Sequence, residues 1–214
     1  MTIRVVVADD HDLLREGLVA ALDRAAGIET VGAASSGDAC VDLVERLRPD
    51  VVVMDLRMPG GDGIAATRRI MAGAADPPAV VVLTTFDDDE LVFGSLRAGA
   101  SAFILKSADT AELVRAIRAV HVGDVVLAPA VTRRVVRSAL EGVTATRAEL
   151  PALTEREHDV LVLIAAGLSN ERISARLHIS VPTVKTHVRS LFHKTGATTR
   201  VQLVIEAFRA GLAR

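Results

Sequence analysis

Val51-Val52-Val53-Met54-Asp55, followed by Leu56-Arg57-Met58-Pro59-Gly60, decides the fold class. Four apolar residues in a row predict a strand buried on both faces, with Asp55 as the first polar side chain beyond it. A strand of that kind belongs to a sheet covered by helices on each side. In open parallel sheets ligands gather at the carboxyl ends of the strands, so Asp55 is expected on a functional rim. The strand predicted over 3–8 ends the same way, in Asp9-Asp10. Three carboxylates on one rim repel each other strongly unless a cation joins them. Oxygen donors of this type suit a hard divalent ion, Mg²⁺ first.

Outward from this stretch the pattern repeats. Apolar strands are predicted over 3–8, 30–34, 51–55, 80–84 and 102–105, with amphipathic helices over 12–25, 37–47, 62–73, 88–98 and 109–121. Such alternation predicts an α/β fold, a five-stranded doubly wound parallel sheet. Beyond Gly123 no further strand is expected. One helix is predicted over 129–140, then an aperiodic tether to about Pro151, then short helices only. Thr154-Glu155-Arg156-Glu157 fits a capping box for the first of these. Ser169 or Asn170 caps a second, Ser180 a third and Thr198 or Thr199 a fourth. Four short helices, with a tight turn over 177–180, have helix-turn-helix proportions. The expected organisation is a first domain over 1–122, a linker over 123–149 that includes a helix, and an all-α domain over 150–214.

Half of the residues are apolar, but there is no Trp or Tyr and only five Phe, so the cores must be aliphatic. No apolar run approaches the roughly 18 residues of a membrane span. The first strand starts too early for a signal peptide, and the lone Cys40 cannot form an internal disulfide, so the reducing cytoplasm is the expected location. Residues 1–124 carry 20 acidic against 12 basic side chains, whereas 150–214 carry 9 basic against 5 acidic. The two domains therefore suit different partners.

Thr84 closes the fourth strand and Lys106 the fifth, on the same rim as Asp55. A phosphoryl group on Asp55 would need positive charge and hydrogen-bond donors, which Lys106 and Thr84 supply. Asp55 would then be the nucleophile attacking phosphorus in line. His11 adds a single imidazole among oxygen donors and is assigned to the loop or helix start. Asp87-Asp88-Asp89-Glu90 suits the dipole of the helix that follows. Gly94 within that helix costs about 1 kcal/mol relative to Ala, which suits an element that must shift.

Asp9-Asp10, Asp55, Thr84 and Lys106, with the runs 55–63 and 98–106, resemble the receiver domain of two-component response regulators, a flavodoxin-like fold. The resemblance implies that Asp10, Asp55 and the backbone carbonyl of Arg57 hold Mg²⁺ (or Mn²⁺), with Asp9 partly through water. It implies that Thr84 and Phe103 form a switch pair, Phe103 turning inward as Thr84 moves, and that a histidine kinase donates the phosphoryl group.

The third helix of the second half carries Val184, Val188, Leu191 and Phe192 as a core stripe and Lys185, Thr186, Arg189 and Ser190 on its other side. That side can enter a major groove, Lys185 and Arg189 reaching base edges. Thr183, Lys194 and Arg200 are candidates for phosphate contacts. The runs 153–157, 166–171, 179–188 and 194–197 resemble the helix-turn-helix domain of NarL/FixJ (LuxR-type) regulators. Arg172, Ser174 and Thr195 depart from that pattern, Thr195 standing where a Leu is usual. The last helix would supply a dimer contact. The whole chain is expected to be a transcription regulator rather than an enzyme, binding double-stranded DNA as a homodimer once phosphorylated. The alternative is a regulator of the same fold that works without phosphorylation.

Overall fold

The structure, a computed structural model, describes residues 2–58, 63–73, 77–85, 89–124, 126–127, 150–197 and 199–212. The chain divides into two compact units, Met1–Val131 and Thr132–Arg214.

In the first unit, strands β1 (Ile3–Ala8), β2 (Ile28–Ala34), β3 (Val51–Met54), β4 (Ala79–Thr84) and β5 (Ala102–Leu105) alternate with helices α1 (Asp12–Asp23), α2 (Gly37–Leu47), α3 (Gly63–Gly73), α4 (Asp89–Ala98) and α5 (Thr110–His121). The strands pair in parallel in the order β2-β1-β3-β4-β5. Alternate residues divide between the two faces. Val5, Val7, Val51, Val53, Val81, Leu83, Ala102 and Ile104 form one core with Leu22, Leu113 and Ile117 of α1 and α5. Val6, Val52, Val82 and Phe103, one step away in register, are equally buried on the opposite face. Burial on both faces is what the unbroken valine runs foretold.

The sheet goes one step further than expected. Val126–Leu127 forms a sixth strand, β6, parallel to β5 with Ala102 opposite Val126 and Phe103 opposite Leu127. A two-residue strand has no periodicity to read, and what selects it is the open edge of β5, whose N–H and C=O groups lack partners on that side. The predicted helix over 129–140, most of the tether, Pro59 to Asp62 and Asp87-Asp88 lie outside the described residues.

Two glycines lie close to other elements, one against backbone and one against the end of a flexible side chain. A Cβ on Gly63 would lie 2.1 Å from the carbonyl oxygen of Asp55 and 2.9 Å from Leu56 Cα, so α3 starts directly against the Asp55 peptide. A Cβ on Gly94 would meet Ile64 Cδ1 at 2.9 Å. The glycine expected to loosen α4 thus serves the packing of α3 on α4.

In the second unit, helices α6 (Glu155–Ala165), α7 (Asn170–Leu177), α8 (Val181–Thr195) and α9 (Arg200–Arg209) enclose Val160, Leu161, Ile164, Ile173, Val184, Leu191, Leu203 and Ala207. Thr154 and Glu157 make the full capping box of α6, and Ser169, Ser180 and Thr199 cap the next three helices. The turn between α7 and α8 runs through His178, a non-glycine residue in the left-handed region at φ 55°. Ser174 Oγ donates to the Ile179 carbonyl at 2.5 Å and so ties this turn to α7. Thr195 Oγ1 donates to the Leu191 carbonyl at 2.7 Å and accepts from Ala197 N at 3.2 Å. Two of the three departures from the family pattern therefore close a helix end or a turn.

Candidate functional site

The carboxyl ends of β1, β3, β4 and β5 lie side by side, and the side chains just past them converge. Asp9 and Asp55 are buried and Asp10 is half-buried. Lys106 Nζ stands between the first two, 2.6 Å from Asp9 Oδ2 and 2.7 Å from Asp55 Oδ2. Burial alone would lower the pKa of the ammonium, but its hydrogen bond to Asp55 and the adjacent charges of Asp55 and Asp9 outweigh it and raise the pKa. Lys106 is therefore a fixed positive charge. Its backbone N–H donates to the Thr84 carbonyl at 2.7 Å, which aligns the ends of β4 and β5.

One ammonium does not balance three carboxylates. Asp9 Oδ2 has Lys106 at ion-pair distance, yet it is buried without an aligned hydrogen bond. The cost of such an oxygen is relieved by a cation with oxygen ligands. The donors of Asp9, Asp10, His11 and Asp55 all lie within 4.8 Å of one another, which is compatible with a divalent metal. His11 does begin α1, and its backbone N–H donates to Asp9 Oδ1 at 2.9 Å. Its imidazole, however, turns toward the acids, with Nδ1 2.9 Å from Asp10 Oδ1. Arg57 follows the site on the surface, its N–H pointing to Asp55 Oδ1 at 3.4 Å. Cys40 is buried away from this chemistry, and desolvation pushes its thiol up to about 12, so it is inert packing.

Thr84 and Phe103 are both fully buried. In register Val82 is opposite Phe103 and Thr84 opposite Leu105, so Thr84 and Phe103 are diagonal neighbours on one face of the sheet. Phe103 was expected to turn inward on switching, but here it is already inside.

On the second unit, Thr183, Lys185, Thr186 and Arg189 are exposed along α8. Thr186 Oγ1 donates to the Pro182 carbonyl at 3.1 Å, so its hydroxyl is engaged within α8. His193, four residues past Arg189 and also exposed, continues this face and was not among the residues picked from the sequence.

Two expected phosphate contacts have other partners. Lys194 Nζ pairs with Glu157 Oε2 at 2.7 Å and donates to the Ala152 carbonyl at 3.1 Å. Arg200 is buried, donating to Asn170 Oδ1 at 2.8 Å and to the Leu168 carbonyl at 2.5 Å. Both cations lock helices together, a use that charge type alone does not reveal. Ser190 likewise donates to Glu157 Oε1 at 2.6 Å.

Lys194, then Ser190 and the Thr154 N–H, hold the Glu157 carboxyl down to about 2 from its ordinary 4.5. A depressed carboxyl contributes stability that is complete above the unfolded value and is lost as pH falls through the folded one. Acid loosening of α6 against α8 is thus expected between about pH 4.5 and 2. Hydrogen exchange of the α8 amides should accelerate over that window in the parent chain. In Glu157→Gln it should already be fast at neutral pH and respond much less to acid. An identical acid profile in the two proteins would show that the ion pair does not join these helices.

The description "Response regulator receiver domain" matches residues 5–118, and "Bacterial regulatory proteins, luxR family" matches residues 151–207. The transcriptional regulatory protein LiaR of Bacillus subtilis is 41% identical over 208 residues, covering 97% of this chain and 97% of its own. The response regulator protein VraR of Staphylococcus aureus is 38% identical over 214 residues, covering 99% of each. Among solved structures, the response regulator ChrA of a heme-sensing two-component system is 36% identical, covering 99% of this chain and 98% of its own with a TM-score of 0.54. A structure of two RcsB dimers bound to two DNAs is 25% identical, covering 95% of this chain and 96% of its own with a TM-score of 0.57.

Proposed function

The chain belongs to the NarL/FixJ family of two-component response regulators, a receiver domain joined to a LuxR-type DNA-binding domain, and on that footing we propose that phosphorylation of Asp55 controls how α8 binds DNA. The family is one of transcription regulators, not enzymes. A receiver implies a kinase partner, and here a histidine kinase is the proposed donor.

The observation that carries this reading is Lys106 set between Asp9 and Asp55 at the strand ends. Asp55 Oδ attacks the incoming phosphorus in line, the donor keeping the electron pair of the broken bond. Lys106 stays protonated and pairs with a phosphoryl oxygen, and the Thr84 hydroxyl donates to another. Asp9, Asp10, Asp55 and the Arg57 carbonyl would hold Mg²⁺ (or Mn²⁺). That ion, when bound, supplies the positive charge an anionic phosphoryl group needs among three carboxylates. Phe103 is already buried, so its part in the switch is to repack beneath Thr84 rather than to enter the core.

The domain limits proposed are 1–122, a linker over 123–149 and 150–214, consistent with the matched ranges. No helix among the described residues is long and apolar enough to cross a membrane, and the cytoplasm, beside DNA, is the proposed place of action. Phosphorylation favours a homodimer on paired half-sites, as the RcsB dimers on DNA suggest by analogy.

Thr183, Lys185, Thr186 and Arg189 are the proposed DNA contacts, Thr183 to phosphate and the others to base edges. Lys194 and Arg200 are reassigned to holding the helices. Binding to random-sequence duplexes, with and without Mg²⁺ and beryllium fluoride, tests the reading. Tighter and sequence-selective binding with both ligands present is expected. Arg189→Ala should then lose about 1–3 kcal/mol of discrimination at one base position. Equal binding with and without the phosphoryl mimic would sink the switch.

A further inference from the structure

The sheet links the acidic pocket to the tether one strand at a time. Asp55 follows β3, Thr84 ends β4, Phe103 lies in β5 and Leu127 in β6, and these four strands are neighbours in that order. Thr84 and Phe103 are diagonal neighbours on one face, and Leu127 is directly opposite Phe103. The outermost strand thus pairs with the backbone of the residue whose repacking beneath Thr84 is proposed above. The residues that follow it lead to the second unit.

The path into β6 is built by the end of α5. Gly123, at φ 88°, donates its N–H to the Val120 carbonyl at 3.0 Å, and Asp124 N donates to the Ala119 carbonyl at 3.0 Å. This left-handed glycine closure ends the helix and turns the chain back along the sheet. Among the described residues two pairs then hold β6, Ala102 with Val126 and Phe103 with Leu127. Four pairs join β4 to β5, reinforced by the Lys106 N–H on the Thr84 carbonyl at 2.7 Å. A shift of Phe103 toward Thr84 is therefore absorbed at the outer seam, where fewer bonds resist it.

We propose that β6 is a strap. Paired to β5, it anchors the tether at Leu127; phosphorylation of Asp55 frees it by repacking Phe103. The anchor then moves back to Asp124, three residues earlier, which adds about 10 Å of reach when extended. The DNA-binding unit gains freedom to align on its site. This regulation rests on the phosphorylation reading given above.

The test uses the full chain as the parent and in two double variants. In Ala102→Cys with Val126→Cys the new cysteines are opposite in register, within the span of a disulfide. Cys40 is buried with its thiol pushed up to about 12 and stays out of that exchange. In Val126→Pro with Leu127→Pro neither residue has an N–H to give to the ladder. Affinity is measured for the duplex that the parent selects from a random library, with and without Mg²⁺ and beryllium fluoride.

In the parent chain the phosphoryl mimic should speed hydrogen exchange over 124–127 by roughly tenfold or more, while β1 and β3 stay protected. The oxidised cysteine pair should still gain one phosphoryl mass from a small phosphodonor, yet lose most of the mimic-dependent rise in DNA affinity. Reduction should restore that rise. The proline pair should bind without the mimic as the parent does with it, and the mimic should add less than about twofold.

Three results would overturn the strap. Equal exchange over 124–127 in both states would make β6 a permanent strand. A full rise in the oxidised pair would mean that the tether need not leave β5. A proline pair that still needs the mimic would mean that β6 restrains nothing, and this variant decides alone if the cysteine pair does not fold. Failure of the phosphorylation reading looks different: the parent itself then shows no change of DNA affinity with the mimic, and the strap falls with it.

Discussion

Replacing Asp55 with Asn is expected to abolish phosphoryl uptake while leaving the fold intact. An amide oxygen of Asn is a poor nucleophile, and no other carboxylate takes its place, because Asp9 reaches Lys106 from a different strand. The mass of the parent chain should rise by one phosphoryl group on incubation with Mg²⁺ and a small phosphodonor, and that of Asp55→Asn should not. DNA affinity should become independent of the donor.

Stability should not suffer. Lys106 keeps Asp9 at 2.6 Å, and one of three crowded carboxylates is gone. A change within about 1 kcal/mol, on the stabilising side, is expected without metal. The parent melting temperature should climb with added Mg²⁺, as for any ligand that binds only the folded state, and this rise should shrink in the variant. Uptake at an unchanged level in Asp55→Asn would place the phosphoacceptor elsewhere and undo the proposed mechanism.

Gly63→Ala is expected to combine the largest loss of stability with a loss of activity. The new methyl group would sit 2.1 Å from the Asp55 carbonyl oxygen and 2.9 Å from Leu56 Cα, both backbone atoms that no rotamer change can move away. Either α3 is pushed off or the Asp55 peptide is displaced. Overpacking of this kind costs about 2–3 kcal/mol or more, which for the first unit alone corresponds to a drop of roughly 10 °C. A shift of the Asp55 carboxylate by a fraction of an ångström should also slow phosphoryl uptake by roughly tenfold or more. Gly94→Ala is the control, since its methyl group would meet only the mobile end of the Ile64 side chain at 2.9 Å. Near-parent melting and uptake in Gly63→Ala would show that the β3–α3 junction is free to relax.

Much of the site was legible because its residues are placed by strand ends. A buried strand must stop where its first polar residue appears, so Asp9, Asp55 and Lys106 announce themselves locally, and parallel topology brings the ends together. The capping box and the caps of the second unit were legible for the same reason, each depending on a few neighbouring residues. What escaped had its cause far along the chain. Glu157 was read as a cap, which it is, but its second role depends on Lys194 and Ser190, 37 and 33 residues away. Arg200 was assigned to DNA because charged side chains usually face water. Only the turn of α9 against α7 shows it buried on Asn170.

The sequence by itself therefore determined the two folds, the acidic rim and the exposed face of α8, because hydrophobic periodicity and helix caps are short-range signals that each segment carries alone. Tertiary structure decided that Lys194 and Arg200 pair within the second unit, why Gly63 must lack a side chain, where a sixth strand pairs, and that Phe103 is already buried. These depend on packing between segments distant in the chain, where distances of 2 to 3 Å settle the role of a residue, and no local pattern encodes them.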